Sequence, residues 1–487
     1  MNSQGKLDES LMKKLQPSGS QPPRLYGLAK IHKDDVPLRP VLSMPGSPYH
    51  KIALQISEWL SVVEECKINS STKEISDSLQ DIRLPIDHVL VSFDVTSLYT
   101  NVPVLEAIEH CTDLLYSGKY KEPPVNRATF VELLKICSSN VIMQTNEGYF
   151  RQIDGLAMGS PPAPHLANGW LSKYDQEIKG DAKLFTRYMD DILRDIKNNA
   201  IAEKLEEINN IHPSLKFTHE EENENSIAFL DMKLTRLNES LSSTWYTKPT
   251  DTGLTMNFHA IAPLKYKKSV VSGLVHRIFR ACSNWKNFHN SITKAKMILQ
   301  NNQYPLSFIE PIIKRTIDSL MTKPEEENTT EDDEEKREEK LIFVQYRGKL
   351  SEKFEGSLKK LDVPCKVIFT LRKLKTCLPS LKPRVDTSLR SKVVYKIEFP
   401  CCNACYVGQT SRHLLCRVRE HKRKSTPVGK HFTSCNKELS MDNVKIIAST
   451  FRSITFLMTL EALHINDIKP SLNTKDEYRS RALVIKF

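Results

Sequence analysis

Residues 184–196 read LFTRYMDDILRDI, and residues 89–94 read VLVSFD. In the first stretch, apolar residues on both sides of Asp190 and Asp191 predict two short strands joined by an acidic turn. In the second stretch, an apolar run predicts a strand that ends at Asp94. Carboxylates on rigid elements are the ligands that Mg²⁺ prefers, and two such ions activate a hydroxyl and stabilise a leaving pyrophosphate. The two stretches could together supply such a metal site, although a pair of aspartates is more often a surface turn and Asp94 could instead cap a helix.

The charge of the chain is unevenly distributed. Its formal net charge is +11 over 487 residues, although residues 325–339 (EEENTTEDDEEKREE) carry ten acidic and two basic side chains. The remaining chain is therefore strongly basic, which is typical of proteins that bind nucleic acid but also favours solubility. Charge alone leaves both interpretations open.

The composition also bears on the compartment of the protein. The sequence contains no apolar run of ~18 residues, so we expect no membrane-spanning helix and no membrane partner. The first residues lack the apolar core of a secretory signal. Eleven cysteines in such a chain indicate reduced thiols or metal ligands, and not a disulfide framework.

Composition and periodicity divide the chain into six segments and indicate an α+β multidomain fold. Polar residues at the start predict a disordered leader, the acidic run predicts a solvated linker, and apolar spacing over 265–320 predicts helices. The predicted segments are a leader (1–20), a first folded region (21–248), a helical region (249–322), an acidic linker (323–340), a basic connector (341–390) and a compact α/β unit (391–487).

Six motifs in the first half carry a family resemblance. FDVTSLYTNVP (93–103), QIDGLAMGSPPAPHLAN (152–168) and RYMDD (187–191) resemble motifs A, B and C of reverse transcriptases as they occur in Penelope-like retroelements. LYGLAKIHKDDVPLRPVLS (25–43), IAFLDMKLTR (227–236) and WYTKPTDTG (245–253) resemble the fingers motifs, the element after motif C and the approach to the thumb. The resemblance implies a right-hand polymerase with fingers and palm in 21–248 and a thumb in 249–322.

The resemblance also implies roles for single residues and for a cofactor. Asp94 and Asp190 would bind two Mg²⁺ or Mn²⁺ ions, with Asp191 as a less essential carboxylate. Tyr99 would exclude a ribose 2′-hydroxyl, and ordinary core packing is the alternative for its ring. The remaining implied contacts with the incoming deoxynucleotide and template are Lys30, Arg39 and Gly155.

A second group of residues lies in the last segment. Residues 394–421 read VYKIEFPCCNACYVGQTSRHLLCRVREH, and Arg417 and His421 lie four apart, hence on one helix face. Cleavage of DNA needs a base, an activated water, a metal and a cation for the phosphate. The residues that we expect to supply these groups are Tyr395, Tyr406, Arg417, His421, Glu461 and Asn473.

This second pattern resembles the GIY-YIG nuclease domain over residues 391–475. The resemblance implies Glu461 as the single metal ligand, Tyr406 or Tyr395 as the base or water-orienting group, and Arg417 as the phosphate-stabilising cation assisted by His421. Residues 394–396 (VYK) stand where Gly-Ile-Tyr gives the family its name, a departure that is common among Penelope-like members.

A possible zinc site overlaps the nuclease pattern. Cys402 and Cys405 form a CxxC pair, and His431 and Cys435 form a second closely spaced pair. Four such ligands suit tetrahedral Zn²⁺, and Penelope-like endonucleases have a similar set that ends in histidine. Cys401 is an alternative to Cys402, and free thiols are the alternative to a metal site.

The whole pattern predicts an RNA-directed DNA polymerase joined to a DNA-nicking endonuclease. The expected partners are template RNA, primer and target DNA, and deoxynucleoside triphosphates, and the expected site of action is the nucleus. Penelope-like proteins usually have a longer segment before the fingers motif, so we expect a truncated copy. A catalytically decayed remnant that only binds nucleic acid is the main alternative, and a telomerase-related polymerase is another.

Overall fold

The computed structural model of the chain describes residues 8–17, 21–31, 35–66, 72–79, 81–139, 141–322, 340–361, 364–371, 378–379, 381–399, 402–450 and 454–473. These residues form two compact units. The first unit comprises residues 1–67, 97–173 and 380–487, and the second comprises residues 68–96 and 174–379. No described helix combines the length and the apolar character that crossing a membrane requires.

Helices and strands are interspersed along the chain, often in short runs of one kind. The strands are β1 (Arg24–Ala29), β2 (Leu38–Ser43), β3 (His88–Val95), β4 (Ile142–Gln144), β5 (Tyr149–Arg151), β6 (Phe185–Tyr188), β7 (Asp191–Lys197), β8 (Phe217–Glu221), β9 (Ser226–Phe229), β10 (Met232–Leu237), β11 (Ser240–Trp245), β12 (Lys340–Gln345), β13 (Cys365–Thr370), β14 (Val393–Glu398), β15 (Cys405–Thr410) and β16 (Val444–Ser449). The helices are α1 (Glu9–Leu15), α2 (His50–Leu60), α3 (Thr72–Ser78), α4 (Leu98–Asn101), α5 (Val104–Leu115), α6 (Arg127–Ser138), α7 (Ala163–Ser172), α8 (Asp175–Lys179), α9 (Ile201–Asn210), α10 (Leu264–Ala281), α11 (Trp285–Asn301), α12 (Leu306–Met321), α13 (Lys349–Lys360), α14 (Leu414–His421), α15 (Pro427–Ser434) and α16 (Ile454–Ile468).

The second unit is built on a sheet with the strand order β6-β7-β3-β8, which we call the central sheet. All neighbouring strands in it are antiparallel. β7 is buried along residues 192–196, so it lies inside the unit and not at its surface. The strands predicted on both sides of the acidic turn are therefore confirmed as β6 and β7.

The same unit holds the sheet β11-β10-β9 and the helices α10, α11 and α12 in one hydrophobic core. The helices predicted for 265–320 are confirmed. In α10, Val271, Val275, Ile278 and Ala281 are buried in this core. Val270 and Leu274 are only partly buried and pack against it.

The basic connector contains a structure that the sequence pattern did not predict. β12 and β13 pair in parallel from Lys340↔Cys365 to Gln345↔Thr370, with α13 between them in the chain. The hydroxyl of Tyr266 in α10 donates to the carbonyl oxygen of Phe369 over 2.9 Å. The acidic linker lies outside the described residues, except for Lys340 at the start of β12.

The first unit contains the sheet β2-β1-β4-β5, which we call the hairpin sheet, together with helices α1, α2 and α4 to α7. The predicted disordered leader is wrong for residues 9–15, which form α1. Asp8 caps this helix through the backbone N–H of Ser10, and Leu11 and Leu15 are buried. Their spacing of four residues places both on one helix face.

The C-terminal region of the first unit, residues 391–473, forms the sheet β15-β14-β16 with antiparallel strands. One face of the sheet packs against α14 and α15, and the other packs against α16. Thr426 caps α15 through the N–H of Gly429, and Pro427 occupies the first turn, where a proline is tolerated. These elements position the tyrosines of β14 and β15.

Candidate active sites

Three carboxylates come together at one edge of the central sheet. Asp94 in β3 is the direct cross-strand partner of Asp191 in β7, and the N–H of Val95 donates to the carbonyl oxygen of Asp190 over 3.2 Å. Directly opposed residues share a face of an antiparallel sheet. The structure therefore brings together the three aspartates that the sequence predicted as one site.

The cluster concentrates negative charge on a rigid edge. Burial, followed by the charges of Asp190 and Asp94, raises the pKa of Asp191 to about 6. Lys248 opposes this shift; it lies in the WYTKPTDTG motif, and the sequence interpretation had given it no role. Neighbouring carboxylates repel each other when they are ionised, so the cluster favours a bound cation.

Two further residues, which the sequence interpretation missed, hold the turn that presents the cluster. The Arg187 guanidinium donates from Nε and Nη2 to both carboxylate oxygens of Asp175, over 2.7 and 2.8 Å. Its Nη1 donates to the carbonyl oxygen of Met189 over 3.2 Å. Met189 has φ +57°, a left-handed conformation that is unfavourable for a long side chain. The buried Arg187 side chain stabilises this turn next to Asp190.

The glycine of the motif-B-like segment lies against α4. Gly155 has φ +77°, and a Cβ atom there would lie 2.6 Å from the carbonyl oxygen of Thr100. The N–H of Leu156 donates to the carbonyl oxygen of Tyr99 over 2.6 Å. Only glycine permits both the backbone angle and this approach. The Gly155 segment is thereby fixed to the helix that carries Tyr99.

Lys30 and Arg39 lie at the end of the β1–β2 hairpin. The N–H of Lys30 donates to the carbonyl oxygen of Pro37 over 2.9 Å, and Arg39 pairs with Leu28 across the two strands. Arg39 is exposed and Lys30 is partly exposed. Both side chains are therefore accessible to an anion, as the sequence interpretation required.

The second group of predicted residues meets around the hydroxyl of Tyr395. This oxygen lies 2.6 Å from Nε2 of His421, and Nε of Arg417 donates to it over 3.3 Å. Tyr395 has no exposed surface. A Cβ atom at Gly408 would lie 2.7 Å from this hydroxyl. Because Gly408 has no side chain, the Tyr395 ring can lie over β15 and reach α14.

The electrostatics of this pocket keep its rings neutral. Burial, followed by the charge of Arg417, lowers the pKa of His421 to about 4. Burial also raises the pKa of Tyr395 and of Tyr406, and the Glu461 carboxylate adds to both shifts. Tyr395 is fully enclosed, whereas Tyr406 is partly exposed. Of the two tyrosines that the sequence left open, Tyr406 is the one that can reach a water molecule.

A carboxylate that the sequence interpretation left without a role holds Arg417 in place. Nη1 of Arg417 donates to Oε2 of Glu420 over 3.0 Å, and Nη2 of Arg412 donates to Oε1 of the same residue over 2.6 Å. Arg417 is thus fixed from two sides, by Tyr395 and by Glu420. The spacing of three residues on one helix, Arg417 to Glu420, was a signal that could have identified the pair.

The side chain of Asn473, which the sequence interpretation counted among the catalytic residues, binds the backbone of β15. Its side-chain amide donates to the carbonyl oxygen of Val407 over 2.7 Å, and its side-chain oxygen accepts from the N–H of Val407 over 2.9 Å. Both ends of the amide are therefore engaged with the backbone of β15. Asn473 fixes the strand that carries Tyr406, and its hydrogen-bonding groups face the protein backbone.

The predicted zinc ligands are brought together in part. Sγ of Cys402 and Sγ of Cys435 lie 3.3 and 3.5 Å from Nε2 of His431. Cys401 lies outside the described residues. Across the described part of the chain, no three His, Cys, Asp or Glu side chains form a complete metal-binding group. Cys402 and Cys435 therefore each contact the same imidazole, that of His431.

Comparison with known families identifies the first half of the chain. Residues 31–222 match the family model described as reverse transcriptase (RNA-dependent DNA polymerase). The chain contains a reverse transcriptase domain. This domain includes the three clustered aspartates, so the family expectation from motifs A to C is confirmed at this level. Residues 254–314 match the animal helix-turn-helix domain, which covers α10, α11 and the start of α12. A comparison with curated proteins finds no match.

Solved polymerase structures are similar to this chain at low identity. Telomerase from Candida albicans, in complex with a TWJ fragment of telomeric RNA, matches at 13% identity and a TM-score of 0.39, covering 64% of this chain and 61% of that one. The Sicinivirus 3Dpol RNA-dependent RNA polymerase matches at 9% identity and a TM-score of 0.39, covering 64% and 71%. The chain thus spans less than two thirds of the telomerase that it matches.

Proposed function

We propose that the protein is an RNA-directed DNA polymerase that also carries a DNA-nicking endonuclease of the GIY-YIG type. The carboxylate cluster of Asp94, Asp190 and Asp191, inside a reverse transcriptase domain, is the observation that carries the polymerase half. The hydrogen-bonded group of Tyr395, His421 and Arg417 supports the nuclease half.

The carboxylate edge fits divalent cations. Mg²⁺ usually keeps several waters and takes only one or two protein carboxylates together with substrate phosphates, so a complete protein cage is not required. Asp94 and Asp190 would hold the ions, and Asp191 adds negative charge beside them. When bound, such ions lower the pKa of the primer hydroxyl and neutralise the pyrophosphate.

The remaining polymerase residues would bind and select the substrate. Lys30 and Arg39 offer cations to the triphosphate, and the planar Arg39 guanidinium can pair two phosphate oxygens. Tyr99 would exclude the 2′-hydroxyl of a ribonucleotide. Gly155 lets the backbone beside Tyr99 approach the nucleotide. These roles, and the thumb assignment of α10 to α12, are part of the proposal.

In the nuclease half, the fixed guanidinium of Arg417 would stabilise the charge that develops on the scissile phosphate. Tyr406 would orient the attacking water, since its ring is partly exposed beside the Glu461 charge. Glu461 would be the single carboxylate ligand of a divalent cation. Tyr395 and neutral His421 hold Arg417 in position and make no direct contact with substrate in this scheme.

A structural Zn²⁺ would complete the C-terminal region. Zinc–sulfur and zinc–nitrogen bonds of about 2.3 and 2.0 Å at tetrahedral angles place the two ligand atoms about 3.5 Å apart. The two sulfur–nitrogen distances at His431, 3.3 and 3.5 Å, agree with this value. Cys402, His431 and Cys435 would be three of the ligands, and Cys405 the fourth after a side-chain movement.

The two activities together suit target-primed copying. A nick in target DNA exposes a 3′-hydroxyl, and the polymerase would extend that primer along template RNA with deoxynucleoside triphosphates. The proposed site of action is the nucleus, where the target DNA lies. The basic composition of the chain supports binding to both nucleic acids.

The polymerase proposal is tested by primer extension on poly(rA)/oligo(dT) with Mg²⁺ or Mn²⁺. We expect the full chain to extend the primer and the Asp190→Ala variant to lose extension. Absence of extension with either metal, in a protein that still binds the primer–template, would identify a catalytically decayed remnant instead.

The nuclease proposal is tested by nicking of supercoiled plasmid DNA with Mg²⁺. We expect the Glu461→Ala variant to abolish nicking while primer extension is retained. Nicking that persists in this variant would contradict the assignment of Glu461 and of the GIY-YIG chemistry.

A further inference from the structure

One face of the hairpin sheet is rich in cations and tyrosines. Residues that pair across neighbouring strands project on the same face. The pairs Arg24↔Ser43, Tyr26↔Val41 and Leu28↔Arg39 therefore place two arginines, a tyrosine and a serine on one face. Gln144 pairs with both Arg24 and Tyr149, and Ile142 pairs with Arg151. We call this side of the sheet, with Arg24, Tyr26, Arg39, Ser43, Tyr149 and Arg151, the basic face.

A lysine from a distant part of the chain lies on the basic face. Nζ of Lys382 donates to Oγ of Ser43 over 2.8 Å and lies 5.5 Å from the centre of the Tyr26 ring. The backbone around it is anchored as well. Arg24 donates to the carbonyl oxygen of Pro383 over 3.4 Å, and Gln144 donates to that of Arg384 over 3.3 Å. The segment 382–384 is therefore held on the sheet at several points.

The positive charge of this face is not neutralised by the sheet itself. None of the four strands contains aspartate or glutamate. Among the described residues, Arg24, Arg39 and Arg151 form no ion pair. Burial, followed by the charge of Arg390, lowers the pKa of Arg24. Positive charges thus crowd together here, and an anionic ligand would relieve their repulsion.

The tyrosines indicate which anion fits. Tyr149 is 58% exposed, and Tyr26 lies beside the Lys382 ammonium. Aromatic rings beside cations are typical of surfaces that bind single-stranded nucleic acid, because unpaired bases stack on the rings while phosphates meet the cations. A duplex hides its base faces, and the carboxylates of an acidic peptide supply charge without a ring that stacks.

We propose that Lys382 forms part of a single-strand-binding surface on the basic face, so that the segment leading into the C-terminal region helps to hold the template. This inference rests on the proposed polymerase function and names a contact for its template. Lys382 lies outside the residues that match the reverse transcriptase family, so the polymerase motifs alone would not identify it.

The test is binding of a labelled RNA single strand of about 20 nucleotides to the full chain, measured by fluorescence anisotropy at several salt concentrations without nucleotide or metal. We expect Lys382→Ala to weaken binding by roughly 3- to 10-fold at low salt. The slope of log affinity against log salt should fall by about 0.7, the value for one lost phosphate contact on a single strand. Lys382→Arg should restore both values.

Lys135→Ala is the matched control, since Lys135 is exposed on α6 in the same unit and should leave affinity and slope unchanged. Lys382→Gln separates charge from folding, because glutamine can still donate to Ser43. If this variant melts like the parent chain and shows the reduced slope, the lost charge is responsible. An unchanged slope in Lys382→Gln and Lys382→Ala overturns the proposal.

Tighter RNA binding by Lys382→Ala also overturns the proposal, since the segment 382–384 would then cover the basic face and block access of the RNA. The outcome is separate from that of the polymerase test. Asp190→Ala should bind the single strand normally, so a lack of primer extension leaves the binding result interpretable. Conversely, if the protein extends primers but its RNA affinity is unchanged when Lys382 is substituted, only this inference is refuted.

Discussion

The central sheet and the C-terminal region bring reactive groups together in opposite ways. At the edge of the central sheet, Asp94, Asp190 and Asp191 are carboxylates that repel each other and are reachable by solvent. Around Tyr395, the rings of a tyrosine and a histidine are buried and neutral, and one arginine carries the charge. The first arrangement would be completed by cations from solution, whereas the Tyr395 hydroxyl in the second already has hydrogen-bond partners inside the protein.

The difference shows how a site can be organised in the absence of its ligand. Repelling charges need a rigid scaffold, and the antiparallel pairing of β3 with β7 supplies it. A buried polar group must instead satisfy its own hydrogen bonds, and Tyr395 does so through His421 and Arg417. Activity at the carboxylate cluster should therefore depend mainly on charge. Activity at the site around Tyr395 should depend mainly on the positions of the side chains.

The largest expected effect is on catalysis at the carboxylate edge. Asp94→Asn keeps the size of the side chain but removes a ligand charge, and we expect primer extension to fall by at least about 10³-fold. Plasmid nicking should be unchanged in the same preparation, since the C-terminal region is untouched. Loss of both activities together would mean that the two sites are not independent.

A smaller loss is expected when the support of Arg417 is removed. Glu420→Ala removes the carboxylate that holds the Arg417 guanidinium, so nicking should fall by about 10- to 100-fold. The loss should appear mainly in kcat and less in KM, because the phosphate charge develops in the transition state. Glu420→Gln should recover part of the rate, and Glu438→Ala, at an exposed site outside the pocket, should have no effect.

The geometric character of the second site is tested at Gly408. A methyl group there would lie 2.7 Å from the Tyr395 hydroxyl and from Cε1 of Tyr406. Gly408→Ala should therefore lower the stability of the region by about 1–3 kcal/mol, as measured by chemical denaturation. Gly356→Ala in α13, where no atom lies within 4 Å of the added Cβ, should be neutral or stabilising.

The smallest expected effect concerns pH and stability at Asp191. Because its folded pKa is raised to about 6 from an ordinary value of 3.8, the folded state holds its proton more tightly than the unfolded chain. Stability should therefore fall as pH rises through this window, and the loss should be complete above it. Solvent screening limits the effect, since part of the Asp191 side chain remains in contact with solvent.

Asp191→Asn removes this dependence and should raise the melting temperature near pH 7.5 by about 2–4 °C in metal-free buffer. The same comparison near pH 3.5 should show no gain. A melting temperature that is equally changed at both pH values would contradict the assigned repulsion. Added Mg²⁺ should stabilise the parent chain more than the variant.

Periodicity and motif order predicted much of the molecule. The strands around Asp190, the helices over 265–320 and the helix with Arg417 and His421 follow from local apolar spacing, which is a property of neighbouring residues. The β12–α13–β13 unit was missed because the parallel pairing of β12 with β13 joins residues that are distant in the chain, and local spacing does not report such a contact. α1 was missed because its two buried leucines lie in an otherwise polar stretch.

The sequence by itself determined which residue types are available: three aspartates in a polymerase order, and tyrosines, an arginine and a glutamate in the order from which we propose a nuclease. Only the tertiary structure decided which of them meet. It enclosed Tyr395 and left Tyr406 partly exposed, engaged Asn473 with the backbone of β15, and brought Lys382 onto a sheet formed more than 300 residues earlier in the chain. The physical reason is that hydrogen bonds and burial depend on distance in space, and sequence spacing reports such distances only within a single helix or strand.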